Sequence, residues 1–204
     1  MREWIPISTS PKGRLVLEAA RAFGTRPYDE VTVTDLSRAA EVTTGALYHH
    51  FEGKQGLYGF VRADIERRLL DRIEGAAAAM ADDDPSARLS AAMTVGFEYA
   101  VRGGFLRLLA DPPRTGDTDE LAEALGGLCV PASAQLGVIL AAAWRAAVGA
   151  VAGGTDADAV REALERLHVT CASADDGHPI GADEESPRPT ARGFQDVGEP
   201  TWWI

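Results

Sequence analysis

The segment Val31–Leu57 constrains the fold most strongly, because it combines two short helical stretches with a tight turn between them. Thr32, with an aspartate three residues later, forms a pattern similar to a capping box and predicts the start of the first helix. Glu41-Val42 would form the turn, and Thr43 can cap a second short helix. Lys54 then stands at the head of a third helical stretch. The segment therefore predicts a helix-turn-helix unit.

The second helix of this unit begins with small and hydroxyl-bearing side chains. In helix-turn-helix proteins this part of the helix meets base edges in the major groove of DNA. Small residues let the backbone approach the bases, while threonine and alanine methyl groups can contact a thymine methyl. The candidate base-contacting residues are Thr43, Thr44, Gly45 and Ala46. Tyr48 and His49 lie further along the helix, where they can reach phosphates.

The rest of the chain has helical spacing of apolar residues and no strand pattern of any length. It predicts an all-α protein in which the helix-turn-helix head precedes a larger helical body. The further helices are expected over Lys12–Phe23, Lys54–Met80, Pro85–Val101, Gly104–Ala110, Thr118–Leu125, Pro131–Ala152 and Asp156–Val169. From Ser173 the sequence becomes acidic and rich in proline and glycine, which is typical of a flexible tail.

The charge of the chain is unevenly distributed. The formal net charge is -11, but residues 1–60 contain seven basic and seven acidic residues and are balanced. The remaining residues therefore contain the whole deficit. An acidic body argues mildly against a nucleic-acid partner, so the basic groups of the head would have to cluster.

The sequence offers no catalytic or metal-binding pattern. It contains no Ser/His/acid spacing, no phosphate-binding loop and only four histidines, so we expect neither an enzyme nor a cofactor. Cys129 and Cys171 lie far apart and outside any metal-ligand spacing, as expected of free thiols in a reducing cytosol. Asp82, Asp83 and Asp84 also lack ligand spacing and are predicted to form a solvated loop.

One stretch, Pro131–Gly154, is apolar enough to raise the question of a membrane span. It is mostly alanine and glycine and includes Arg145, which would cost roughly 2.5–3.5 kcal/mol at the centre of a bilayer. The amino terminus does not resemble a signal peptide. We therefore expect a packed helix in a cytoplasmic protein without a membrane partner.

Four short motifs follow one another in a fixed order over about Gly13–Val61. They are Ala19-Ala20-x-x-Phe23, Val31–Leu36, Thr43–Phe51 and Lys54-x-x-Leu57. In this order and spacing they resemble the tetracycline-repressor (TetR) family of bacterial transcription regulators. Beyond residue 61 only the run of helices is similar to the family.

The resemblance implies that residues at four positions grip the DNA backbone. These are Thr32, Tyr48, His49 and Lys54. Thr32 and Lys54 also stand at helix N-termini, which favour anions. Other roles stay open: Thr32 could simply cap its helix, Tyr48 could belong to the core, and His49-His50 could bind a metal. Adjacent histidines, however, point about 100° apart on a helix.

The sequence departs from the family at the turn of the helix-turn-helix unit. Where the family usually has glycine, this chain has Glu41. A non-glycine residue in a left-handed turn costs roughly 1–2 kcal/mol. The Glu41 carboxylate could also face DNA phosphates, and base-contacting side chains are few.

The resemblance further implies that the body encloses a pocket for a small molecule. The candidate lining residues are Met93, Phe97, Val101, Phe105, Leu109 and Trp144. For each of them ordinary core packing is the alternative. An apolar lining of this kind predicts a mainly apolar ligand with one or two polar contacts.

The last two long helices of the body are expected to pair with a second subunit. Alanine and glycine dominate Pro131–Ala152, and small residues allow helices to approach closely. Two joined heads would read a palindrome, whereas one short helix reads too few base pairs. The homodimer is implied largely by the resemblance.

These inferences divide the chain into four parts: residues 1–11 as an N-terminal arm, 12–56 as the DNA-binding domain, 57–172 as the ligand-binding and dimerisation domain, and 173–204 as the tail. They predict a ligand-responsive regulator, a repressor, whose partners are an operator in double-stranded DNA and a small apolar effector. The alternatives are an interaction protein of the same fold that does not bind DNA, and a small helical enzyme.

Overall fold

The computed structural model describes residues 10–80, 84–114 and 116–167. Within these ranges the chain forms nine α-helices and no strand, which confirms the predicted all-α class. The helices are α1 Pro11–Thr25, α2 Val33–Ala39, α3 Thr44–Phe51, α4 Lys54–Ala79, α5 Pro85–Gly103, α6 Leu106–Ala110, α7 Glu120–Leu128, α8 Ala134–Ala152 and α9 Ala157–Glu165. A short 3-10 turn, Tyr28–Glu30, lies between α1 and α2.

Helices α1 to α3 and the start of α4 form the head around a small apolar core. Its centre consists of Leu15, Ala19, Phe23, Leu36, Leu47 and Leu57, all at most 2% exposed. As predicted, threonines cap α2 and α3. The Thr32 hydroxyl oxygen accepts from the Asp35 backbone N–H at 3.1 Å, and the Thr43 hydroxyl oxygen accepts from that of Ala46 at 3.1 Å. The Asp35 carboxylate accepts the Thr32 hydroxyl proton at 2.7 Å, which makes the cap reciprocal.

The body is built around α4, which packs against α5 and α7, while α8 packs against α6 and α7. Trp144 on α8 is completely buried, and its indole N–H donates to the Met93 carbonyl of α5 at 3.1 Å. Helix α4 runs without interruption from the head into the body. The predicted boundary between residues 56 and 57 therefore falls within one helix.

Three helices begin later than their apolar periodicity predicts, two of them because a capping side chain lies downstream of the expected start. Helix α7 begins after Asp119, whose carboxylate accepts from the Ala122 backbone N–H, and not at residue 118. Helix α8 begins after Ser133, whose hydroxyl oxygen accepts from Leu136 N–H, and not at residue 131. Helix α6 begins after Phe105, since Gly104 is left-handed and ends α5.

Some predicted features lie outside the described residues. They include most of the N-terminal arm, Asp82 and Asp83, and everything from residue 168 onward. Cys171, the predicted tail 173–204 and Trp202-Trp203-Ile204 belong to this last range. The C-terminal end of α9 is Glu165, four residues before the predicted Val169.

Candidate DNA-binding surface and interior cavity

Helix α3 has one buried face and one exposed face. Leu47 and Phe51 are buried in the head, whereas Thr44 and Gly45 in the first turn are exposed and Ala46 is half-buried. A Cβ added at Gly45 would approach only the Thr43 hydroxyl oxygen, at 3.7 Å. The start of α3 therefore presents small side chains to the surface of the molecule.

Tyr48 and His49 continue the exposed face of α3. The Tyr48 side chain is 56% exposed, so it is not a core tyrosine. His49 and His50 are both exposed, with their ring centroids 5.1 Å apart. Among the described residues no group of three or more His, Cys, Asp or Glu is placed to hold a metal ion. The exposed polar atoms of this face are therefore available to a partner.

Lys54, the first residue of α4, is held from within the head. Its ammonium donates to the Tyr28 carbonyl oxygen at 3.0 Å and lies 4.0 Å from the centroid of the Tyr28 ring. The Tyr28 ring in turn packs edge-on against Tyr58, with ring centroids 5.0 Å apart. An ammonium has three N–H donors, so a phosphate contact by Lys54 would share the group with Tyr28.

The turn before α3 is left-handed at Glu41, where φ is 53°. The expected backbone strain at this non-glycine position is thus present in the structure. Arg14 of α1 spans the turn: its Nε donates to the Ala40 carbonyl at 2.8 Å, and a terminal nitrogen donates to the Glu41 carbonyl at 3.4 Å. These bonds join the carbonyl end of α2 to α1 and help to fix the turn.

Arg38 is an exposed cation on the first helix of the motif that the sequence analysis did not single out. Its side chain is 76% exposed and lies 3.8 Å from the Asp35 carboxylate. The first helix of a helix-turn-helix unit crosses the DNA backbone. A basic residue near the end of that helix was the available signal. Lys12, by contrast, lies over the Phe51 and Phe60 rings.

A cavity of about 770 Å³ lies among α4, the segment between α6 and α7, α7 and α8. The innermost lining residues are apolar and buried, namely Leu69, Leu109, Leu121 and Trp144. The lining also includes many charged side chains, namely Arg62, Asp64, Glu66, Arg67, Arg114, Asp117, Asp119, Glu120 and Arg145, together with uncharged residues such as Phe60 and Leu70. The cavity therefore combines an apolar floor with charged surroundings.

Arg145 of α8 and Asp119 form a pair in the lining of the cavity. Both terminal nitrogens of Arg145 donate to the Asp119 carboxylate at 2.7 Å, in a bidentate pair. Asp119 also caps α7. The hydrogen bonds from Arg145 lower the pKa of the Asp119 carboxyl below its usual value and outweigh the effect of its partial burial. This pair thus ties the first turn of α7 to α8.

Arg62 and Tyr58 of α4 also line the cavity. Arg62 Nε donates to the Glu66 carboxylate at 2.9 Å, and a terminal nitrogen donates to the Asp111 carbonyl at 2.7 Å. The Tyr58 side chain lies close to the Arg62 guanidinium and, against the opposing effect of burial, helps to raise the pKa of Arg62. Tyr58 also contacts Tyr28 in the head, so this wall of the cavity adjoins the helix-turn-helix unit.

The chain resembles known proteins in the sequence of its head and in its fold. Residues 15–59, which include α2, α3 and the start of α4, match the family described as bacterial regulatory proteins, tetR family. The head of the chain is thus similar to the DNA-binding part of TetR-family proteins. This similarity supports a DNA-binding regulator, and TetR-family regulators are transcription factors and not enzymes.

Solved structures of TetR-family regulators share the fold. A TetR-like regulator from Rhodococcus sp. RHA1 has 19% sequence identity and a TM-score of 0.60, with 76% of this chain and 91% of that chain covered. A TetR-family regulator from Pectobacterium atrosepticum has 21% identity and a TM-score of 0.55, covering 76% of this chain and 88% of that chain. A comparison with curated proteins finds no match.

The TetR-like body places the predicted pocket residues differently from the sequence expectation. Of the six, only Leu109 and Trp144 line the cavity. Met93 and Phe97 are buried in the core, and Val101 and Phe105 pack against it. An apolar stripe on a helix has the same spacing whether it faces a cavity or the core, which is why the sequence could not separate the two.

The charged lining was missed altogether by the sequence analysis. Arg145 and Asp119 are 26 residues apart, and nothing in their local sequence indicates that they meet. In the sequence Arg145 is only a charge within an apolar stretch. Arg62 and Arg114 have no distinguishing spacing either. Their role becomes visible only when α4, α7 and α8 are packed together.

Proposed function

We propose that this TetR-family regulator is a repressor that binds a palindromic DNA operator as a homodimer and releases it when a small molecule occupies the cavity. The observation that supports the proposal most directly is the first turn of α3, where Thr44 and Gly45 are exposed, on a helix whose other face is buried. We place the protein in the cytoplasm, associated with the nucleoid when it binds DNA.

In this proposal the residues of the head divide into two groups. Thr44 and Ala46 meet base edges, because they stand at the start of the recognition helix. Tyr48 and Lys54 contact phosphates, as do Thr32 and His49, so they add affinity without selecting a sequence. Gly45 allows the backbone close to the bases.

Selection of bound fragments from random duplex DNA tests the operator, because it returns both the half-site sequence and the spacing. Fluorescence anisotropy on the selected site then separates the two groups of residues. Tyr48→Phe should weaken binding to every sequence almost equally, whereas Thr44→Ala should change the preferred bases. Tyr99→Phe, on α5, is the matched control. Recovery of no enriched fragment would contradict operator binding.

The homodimer is supported by an uncovered apolar face on α8. Val138 and Ile139 are 58% and 63% exposed, and an apolar groove between α8 and α9 has Ala147 and Leu167 among its lining residues. Exposed side chains of this size are unfavourable in contact with water. Helix α8 is long and apolar enough to cross a membrane when judged by length and composition alone. Its buried face, which includes Trp144, fits a soluble helix that pairs with a second copy.

Light scattering on the purified protein tests the dimer. Ile139→Asp should shift the mass towards that of a monomer and weaken operator binding, because it places a charge in the proposed interface. Val95→Asp introduces the same charge at an exposed apolar residue of α5 and should leave the mass unchanged. Equal effects of the two substitutions would refute the assignment of the interface to α8.

Release by a ligand is supported by the position of the cavity against α4. A ligand acts only through unequal affinity for two arrangements of the heads. DNA fixes the distance between the recognition helices at about one helical turn, so a small displacement of α4 would disturb the fit. A coupling of about 1–3 kcal/mol would reduce operator affinity roughly 5- to 150-fold. A thermal-shift screen followed by anisotropy with each hit tests this step, and ligands that stabilise the protein without releasing DNA would refute it.

A further inference from the structure

The arginines that line the cavity do not all have the same kind of partner. Three of them are paired with carboxylates of neighbouring residues. The pairs are Arg62–Glu66, Arg67–Asp64 and Arg145–Asp119. An ionised carboxylate already occupies part of each of these guanidinium groups, which leaves them poorly suited to capture another anion.

Arg114, at the mouth of the cavity, has a neutral partner instead. Both of its terminal nitrogens lie 3.2 Å from the side-chain oxygen of Gln55, with the amide oriented so that its oxygen faces the guanidinium. Among the described residues no carboxylate forms a salt bridge with Arg114. Two terminal nitrogens directed at one region form the fork that binds a carboxylate in bidentate geometry. The amide oxygen therefore occupies a position that a carboxylate would fill with stronger hydrogen bonds.

The apolar floor lies in the same cavity as this arginine. Leu69, Leu109 and Trp144 are buried and line it. A volume of about 770 Å³ accommodates a molecule of metabolite or drug size. Asp117 and Glu120 also line the cavity and are exposed, so a ligand with several negative charges would be repelled there. A single negative charge attached to an apolar body satisfies both conditions.

We propose that the cavity binds an organic monocarboxylate, with the carboxylate on Arg114 and the apolar body on the floor formed by Leu69, Leu109 and Trp144. This inference rests on the proposed ligand response and specifies its ligand. The sequence predicts a mainly apolar effector, whereas the ligand proposed here is an amphipathic anion.

The position of Gln55 connects this site to the head. Gln55 is the second residue of α4 and follows Lys54 directly. A bound carboxylate takes the guanidinium of Arg114 away from the Gln55 amide and so removes a contact between the α6–α7 segment and the first turn of α4. Ligand binding therefore changes a contact next to Lys54, the proposed phosphate-contacting residue.

Calorimetric titration of the full-length protein without DNA tests the ligand class. The probes are octanoate and phenylacetate, with octanol and octylammonium as the neutral and cationic comparators. Arg114→Gln should weaken carboxylate binding about tenfold, because it removes a charge-assisted bidentate contact. Arg102→Gln is the matched control, since Arg102 is an exposed arginine of α5 that pairs with Glu98 outside the cavity.

Two substitutions at Gln55 should have opposite effects. Gln55→Glu provides an internal carboxylate that competes for Arg114 and should weaken carboxylate binding about as much as Arg114→Gln. Gln55→Ala removes the competing amide and should leave carboxylate binding as tight as in the wild type, or tighter. A merely structural role of the contact would make both substitutions act in the same direction.

The proposal is overturned if neither carboxylate binds, if octanol or octylammonium binds as tightly, or if Arg114→Gln leaves the affinity unchanged. It is also overturned if Gln55→Glu and Gln55→Ala have the same effect. Because the titration contains no DNA, its outcome is independent of operator binding. A protein that binds octanoate but does not release DNA would refute the proposed induction and leave the ligand class intact.

Discussion

Replacing Glu41 by glycine should stabilise this protein, because the turn between α2 and α3 holds a non-glycine residue at φ 53°. A side chain in the left-handed region costs roughly 1–2 kcal/mol relative to the usual backbone conformations. Glycine avoids that cost but gives the unfolded chain more freedom, which offsets about 0.4–1 kcal/mol. The expected net gain for Glu41→Gly is therefore about 0.5–1 kcal/mol.

The contacts around the turn should survive this substitution. Arg14 donates to the backbone carbonyls of Ala40 and Glu41, and glycine at position 41 retains its carbonyl. The Glu41 side chain is exposed, so its removal uncovers no core. For a chain of this length, a gain of 1 kcal/mol corresponds to an increase in Tm of about 2–4 °C. We expect an increase of about 1–4 °C for Glu41→Gly.

Calorimetry and urea unfolding measure this gain, and Glu41→Gln is the control because it removes the charge and keeps a side chain in the left-handed turn. Glu41→Gln should leave Tm close to that of the wild type. Both substitutions should strengthen DNA binding at low salt, because each removes a carboxylate beside the proposed phosphate contacts, and the gain should fall as salt is added. If Glu41→Gln raised Tm as much as Glu41→Gly, charge and not backbone strain would be the cause. If neither raised Tm, the strain argument would fail.

Two further predictions concern α4 and the cavity wall. Gly59→Ala should raise Tm by about 2 °C, because an added Cβ meets no atom within 4 Å and alanine favours the helix by about 0.5–1 kcal/mol. Gly56→Ala should lower Tm and weaken DNA binding, because the added Cβ would lie 1.9 Å from the Phe51 carbonyl oxygen. Thermal melts of Gly59→Ala and Gly56→Ala measure both shifts in Tm. Equal shifts would contradict the packing at the α3–α4 junction. Arg145 lowers the pKa of Asp119, so the stability that this carboxylate adds is present above its unfolded pKa of about 4 and is lost as pH falls through the lower folded value. In urea unfolding, the free energy of unfolding of the wild type should therefore exceed that of Asp119→Asn at neutral pH and approach it in acid. A difference that does not depend on pH would show that the carboxylate charge does not stabilise the fold.

The head could be predicted from the sequence because its signals are local. The caps at Thr32 and Thr43 join residues three positions apart, and both are formed as expected. The left-handed turn at Glu41, by contrast, is implied by the family resemblance, because the family usually has glycine at this position. What could not be anticipated is the contact from Lys54 to Tyr28, because it joins residues 26 positions apart.

The body could be predicted only as a series of helices. The stripe that includes Met93 and Phe97 has the spacing of a core and of a pocket lining alike, and the structure places both residues in the core. The cavity is defined by long-range pairs such as Arg145 with Asp119 and Arg114 with Gln55. No periodicity reports such pairs, so tertiary packing alone specifies the chemistry of the cavity.

The charge of the head limits the electrostatic contribution to its proposed affinity for DNA. The chain has a net charge of -11, and several of the few basic residues in its head serve internal contacts. Lys12 lies over aromatic rings, Arg14 spans the turn, and Lys54 is held by Tyr28, whereas Arg38 is largely exposed. Each phosphate neutralised by a cation contributes a slope of about -0.9 to the dependence of log affinity on log salt. Because few cations of the described part of the head are without internal contacts, the proposed operator binding would rest mainly on the fit of two recognition helices, and a ligand that moves α4 would then disturb it.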